Sequence, residues 1–133
     1  MIAIGILGHG DLPAGIISAL ELIVGEQKHV FGVSLQQGDS PETFQQNLDK
    51  EMSRFDDGKF LFLVDLKGGT PSNIAARLTS ENHYCVSGVN LPMVLEIVMD
   101  SEADSLPELA AKATTIGTDS ITNISEELKK LMK

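Results

Sequence analysis

Tryptophan is absent from this 133-residue chain, and cysteine occurs once, at Cys85. A single thiol excludes an internal disulfide, a CxxC redox pair and a cysteine-based zinc site, and it fits a reducing compartment. Basic residues are scarce as well. Against 19 Asp and Glu stand 10 Lys and Arg, and the net charge of -9 repels phosphate backbones and anionic lipid. Nucleic acid is therefore not an expected ligand, whereas a protein with a basic face is. No apolar stretch reaches the ~20 residues needed to cross a bilayer, since Glu21 and Glu96 interrupt the longest candidates. The start, Met1-Ile2-Ala3, lacks the basic region of a signal peptide, so the cytoplasm is the expected address. Five Phe, one Tyr and 42% hydrophobic residues describe a core built mainly from Leu, Ile, Val and Ala. The length suits one domain over residues 1–133, and no repeat, linker or low-complexity tract divides it.

What is present alternates between two periodicities. The apolar run Ile2-Ala3-Ile4-Gly5-Ile6-Leu7 reads as a buried strand, and Ile16, Ile17, Leu20, Ile23 and Val24 mark a helical face that Gly25 stops. Val30 to Leu35 is a second strand. Ser40-Pro41-Glu42 opens a helix with a cap, a proline and an early acid, and Phe44, Leu48, Met52 and Phe55 form its stripe. Asp57-Gly58 turns the chain into the third strand, Phe60-Leu61-Phe62-Leu63-Val64, which ends at Asp65. Thr70-Pro71 repeats the cap-and-proline signature before Ile74, Ala75 and Leu78. Tyr84 to Val89 is the fourth strand, and helices follow at Pro92 and at Ser105-Leu106-Pro107. Asp119 to Ile124 reads as a short edge strand, and Ser125-Glu126-Glu127 opens a last helix ending in lysines.

Strands alternating with helices predict a parallel sheet covered on both faces and joined by right-handed crossovers. In a flavodoxin-like order 2-1-3-4, the first and third strands are neighbours at the topological switch point, where ligands bind beyond the strands' carboxyl ends. That order brings His9, in Gly8-His9-Gly10, together with Asp65. The helix opening near Thr70 adds free N-H groups and the positive end of a dipole, an anion site. A neutral imidazole is a nucleophile, and a carboxylate accepting its Nδ1-H fixes the tautomer and leaves Nε2 free. Phosphoryl transfer needs mostly positioning and compensation of oxygen charge, which the Thr70 hydroxyl and the N-H groups around Gly68 and Gly69 would supply without a metal or cofactor.

Each of these residues also has a plainer reading. A histidine after a strand is more often a hydrogen-bonded structural residue, a strand-end aspartate a cap, and Gly68-Gly69-Thr70-Pro71 an ordinary turn before a helix, being neither a Walker loop nor a dinucleotide fingerprint. His29 and His83 read as boundary residues, and Cys85 as a small buried hydrophobe.

Three ordered motifs, Ile4-Gly5-Ile6-Leu7-Gly8-His9-Gly10, Phe62-Leu63-Val64-Asp65 with Gly68-Gly69-Thr70-Pro71-Ser72-Asn73, and Gly88-Val89-Asn90-Leu91-Pro92-Met93, resemble the mannose-type IIA components of the bacterial sugar phosphotransferase system over essentially the whole chain. The resemblance implies that His9 takes a phosphoryl group from phospho-HPr and passes it to a histidine of the IIB component, with the membrane components IIC and IID downstream. It implies that Asp65 orients His9 and that Thr70 contacts the phosphate. It further implies a homodimer in which a terminal antiparallel strand, here Asp119 to Ile124, is exchanged between subunits. The IIB component is expected as a separate protein, and Lys67 occupies a position that varies in the family. Competing readings are the phosphotransfer subunit of dihydroxyacetone kinase, a receiver-like module phosphorylated on Asp65, and a flavin-binding module. The receiver wants acids after strand one, where only Asp11 is near, and the flavin module wants a Ser/Thr-rich phosphate loop that is missing there.

Overall fold

A computed structural model describes residues 1–56, 58–102 and 104–132. Its strands are β1 (Ala3–His9), β2 (Val30–Leu35), β3 (Phe60–Val64) and β4 (His83–Ser87), all parallel in the order β2-β1-β3-β4. Between and after them run α1 (Leu12–Val24), α2 (Pro41–Met52), α3 (Gly69–Arg77), α4 (Leu91–Asp100), α5 (Leu106–Asp119) and α6 (Ile124–Leu131).

The period-two alternation of the strands sorts the core into two layers. Ile4 and Ile6 of β1 and Leu61 and Leu63 of β3 face an aliphatic layer completed by Leu20 of α1, Val94 and Ile97 of α4 and Leu109 of α5. Ala3, Leu7, Phe60, Phe62 and Val64 face the other side, where Phe31, Phe44, Leu48 and Ile74 close a layer rich in phenylalanine beneath α2 and α3. Continuous apolar strands are what a sheet covered on both faces requires. The stripe of α1 fades in its last turn, where Ile23 and Val24 are exposed.

Helix starts follow local capping chemistry. Ser40 accepts from the Thr43 N-H, Asn90 from Met93, and Ser105 makes a full capping box with Glu108. Lys112 of α5 bridges Asp100 at 2.9 Å and Asp104 at 2.6 Å, tying the end of α4 to α5.

The expected edge strand at Asp119 to Ile124 is absent. Helix α5 continues to Asp119 because its last turns dock on α4: Asn90 donates to the Gly117 carbonyl at 3.1 Å, and Gly117 leaves room for Met93. Asn123 then caps α6, so only residues 120–123 lie between the two helices, and among the described residues the sheet has no antiparallel member. The last helix starts at Ile124 with Asn123 as its cap, ahead of the expected Ser125. The expected Asp57-Gly58 turn falls partly outside the described residues.

Gly5 marks the tightest point of the phenylalanine layer. A Cβ there would lie 2.6 Å from Cζ of Phe31, whose ring is boxed in by Phe55 and Phe60 at centroid distances of 5.4 and 6.1 Å. Gly5→Ala is expected to destabilise the fold by ~1–3 kcal/mol through overpacking. Urea unfolding checks this, and an unchanged midpoint would mean that the ring has room to retreat.

Candidate functional site

Strands β1 and β3 pair with Leu7 opposite Val64, so their carboxyl ends release the chain side by side. Gly8 then stands beside Asp65. A Cβ on Gly8 would lie 3.1 Å from both Cγ and Oδ2 of Asp65, and its absence lets the carboxylate lean across β1. There Asp65 Oδ2 accepts from the backbone N-H of His9 at 2.9 Å and meets Nδ1 of the same residue at 2.7 Å, while Oδ1 accepts from the Leu66 N-H at 2.8 Å. The side chain of Asp65 is 8% exposed and that of His9 46%.

Burial pushes the Asp65 carboxyl upward, but the hydrogen bonds from the His9 ring and from the N-H groups of His9 and Leu66 outweigh it and hold the group below the usual carboxylate range. An ionised carboxylate only accepts hydrogen bonds. Nδ1 of His9 must therefore carry the proton in this pair, and Nε2 is left with a free lone pair on the open side of the ring.

That open side faces the start of α3. A Cβ on Gly69 would sit 3.5 Å from Cε1 and 3.6 Å from Nε2 of His9, so a glycine here leaves the space in front of the nucleophilic nitrogen unfilled. Gly68 and Gly69 both have left-handed φ, +94° and +82°, which other residues adopt only with strain. The helix begins at Gly69 with Gly68 as its cap, one step earlier than the Thr70-Pro71 signature implied. Thr70 therefore stands in the first turn of α3, not at its cap. On the other flank, Gly10 N-H donates to the Leu35 carbonyl at 3.0 Å and Gln36 Nε2 to the Gly10 carbonyl at 3.4 Å, fixing the turn after His9.

All five residues expected at the site, His9, Asp65, Gly68, Gly69 and Thr70, thus gather at one end of the sheet. Two contributors escape sequence reasoning: Gly8, as the gap the carboxylate crosses, and the Leu66 N-H that anchors Oδ1. A glycine at the end of a buried strand, directly before the histidine, is the signal for the first. The remaining histidines lie elsewhere. His29 is bonded to the buried Ser101 Oγ at 2.9 Å and has its pKa lowered by burial. His83 stacks near Phe60 and Phe62. Burial pushes the Cys85 thiol up to about 11, so it stays protonated. Leu12, Leu66 and Lys67 form an exposed rim around the site.

Known proteins share this arrangement of sequence and fold. A family model described as the PTS system fructose IIA component matches residues 3–114. The fructose-specific EIIA component of Bacillus subtilis (strain 168) is 32% identical over 98% of this chain and 92% of its own length. The mannose-specific EIIAB component of Escherichia coli (strain K12) is 34% identical over 90% of this chain, which spans 38% of that longer protein. Among solved structures, phosphotransferase system component EIIA from Streptococcus agalactiae superposes with a TM-score of 0.86 at 34% identity, covering 95% of this chain and 99% of that one. No helix among the described residues is long and apolar enough to cross a membrane. A family match over most of the chain, carried by a four-stranded parallel sheet of order 2-1-3-4, means that this chain belongs to the fructose/mannose family of EIIA components of the sugar phosphotransferase system.

Proposed function

We propose that the protein is a cytoplasmic phosphoryl carrier in which Nε2 of His9 takes the phosphoryl group from phospho-HPr and yields it to a histidine of a separate IIB component. Membership of the EIIA family makes it a phosphotransferase component. The observation that carries the finer reading is the 2.7 Å contact between Nδ1 of His9 and Asp65, which leaves Nε2 as the exposed nucleophile beside Gly69. In the forward step the N-P bond of the donor phosphohistidine breaks as a new N-P bond forms at Nε2. The positive charge that develops on the ring is shared with Asp65, and the Nδ1 proton stays where it is. The second transfer repeats this exchange with the acceptor histidine. Negative charge on the moving phosphoryl oxygens meets the Thr70 hydroxyl and the first-turn N-H groups of α3.

The receiver-like alternative is disfavoured by the engagement of both Asp65 oxygens with N-H donors and with the His9 ring, which leaves neither as a ready phosphoryl acceptor. The dihydroxyacetone kinase subunit shares the histidine chemistry and differs in its donor carrier, so labelling with each carrier separates the two.

A homodimer is part of the same proposal. None of the residues of α6 is buried, and Ile121, Ile124, Leu128, Leu131 and Met132 are all exposed. Edge strand β4 is adjacent to only one neighbour in the sheet, so a segment from a second copy has a place to pair.

Labelled phosphate passed from phosphoenolpyruvate through enzyme I and HPr should appear on the wild type as an acid-labile adduct and be absent from His9→Ala. Removing the Thr70 hydroxyl should slow transfer by ~10- to 1,000-fold. Label on His9→Ala would remove the histidine from the mechanism. The pH dependence has a definite sign. Because the folded pKa of Asp65 is depressed, its stabilisation is present in full above the ordinary carboxylate value of ~3.9 and is lost as pH falls through the folded pKa. The stability gap between wild type and Asp65→Asn should accordingly be widest near neutrality and close in acid, and a gap that widens in acid would contradict the hydrogen bonding described. Sedimentation at micromolar concentration should give twice the 14.3 kDa chain mass, and a single-chain mass would refute the dimer.

A further inference from the structure

The turn that faces Nε2 of His9 is built from two consecutive glycines, the most mobile backbone available, yet a mobile wall is a poor cradle for a transferring group. Something has to hold it. Gly68 is the helix cap and has no side chain with which to bond the first turn. The usual reciprocal device, an acidic or amide side chain at the third helical position reaching back to the cap N-H, is unavailable because that position is Pro71. The task passes to the next residue. Ser72 Oγ accepts the Gly68 N-H at 3.2 Å, and Ser72 is 8% exposed, with its hydroxyl turned into the turn and away from solvent.

We propose that Ser72 is a positioning residue for phosphoryl transfer: by holding the Gly68 N-H it locks the glycine turn in the conformation that presents Gly69 and Thr70 to His9. This rests on His9 being the phosphoryl acceptor. The first four N-H groups of a helix lack partners within it. Of those at the start of α3, the one on Gly68 is bonded to Ser72, and Pro71 has none. The two that remain belong to Gly69, whose missing Cβ borders Nε2, and to Thr70, the next residue in the chain. Ser72 thus selects which donors are available to the phosphoryl oxygens as well as where they point. It touches neither His9 nor the reacting atoms and acts only through Gly68. Asp65 secures the other end of the same loop through the Leu66 N-H, so the strap from Asp65 to Gly69 is tied at both ends.

Single-turnover transfer from phospho-HPr to wild type, Ser72→Ala and Ser72→Thr provides the test, with KM for phospho-HPr, thermal melting and amide exchange at Gly68 measured on each. Loss of one neutral hydrogen bond should slow the Ser72→Ala transfer step by roughly 3- to 10-fold. KM should be unchanged and melting should fall by no more than ~5 °C, Gly68 exchange should accelerate, and Ser72→Thr should restore the rate. A wild-type rate in Ser72→Ala with accelerated Gly68 exchange would overturn the proposal, because the bond would then be structural only. A rate loss that comes with a fall in melting beyond ~5 °C, or that appears in KM alone, would overturn it too. Absence of label on His9 of the wild type would instead refute the carrier function, and this inference with it.

Discussion

Everything at the carboxyl end of the sheet depends on one carboxylate being held ionised in a nearly closed space. Asp65 has two oxygens and three N-H donors, two from the backbone and one from the imidazole. Burial alone would favour the neutral acid, and the donors reverse that preference. The charge is maintained first by the His9 ring and then by the two main-chain N-H groups, which strand pairing makes rigid. Carboxylate and ring fix each other, and the backbone holds the pair in place.

This dependence explains the distribution of glycines around the site. Gly8 is where the carboxylate crosses β1, and Gly69 is where the wall comes nearest to Nε2. At Gly8 a methyl group would crowd the Asp65 carboxylate, and at Gly69 it would fill the space in front of Nε2. The site is made as much by missing side chains as by present ones. Its neighbours Leu12 and Leu66 are exposed and apolar.

Much of this was legible in the chain itself. Apolar runs of strand length separated by capped helices determine a parallel sheet, and the order 2-1-3-4 puts His9 beside Asp65 without any knowledge of distances. Ser40, Asn90 and Ser105 are local signals, and they act locally. The misses have two kinds of cause, a stronger local device in one case and a tertiary contact in the other. Thr70-Pro71 looks like a cap and a first residue, but the glycine pair lets the helix start sooner and Ser72 stabilises that start from within. Asp119 to Ile124 has the composition of a strand, yet the packing of Gly117 against Met93 and Asn90 carries α5 through its beginning. A strand also needs a neighbour to pair with, a property no single segment can display.

Helix α6 has a consequence for how the chain's last residues behave. It contains eight residues, buries none of them, and is held by the Asn123 cap and charges such as the Lys129 to Glu126 pair at 3.5 Å. Isolated helices shorter than ~12–15 residues are marginal in water because nucleation is costly. Its helix-coil equilibrium is thus poised close to balance, and any surface that takes up Ile124, Leu128 and Leu131 draws the segment toward the helical state. Folding of the carboxyl-terminal segment and its capture by such a surface become a single linked equilibrium, governed by mass action, in which the concentration of that surface sets the helical content.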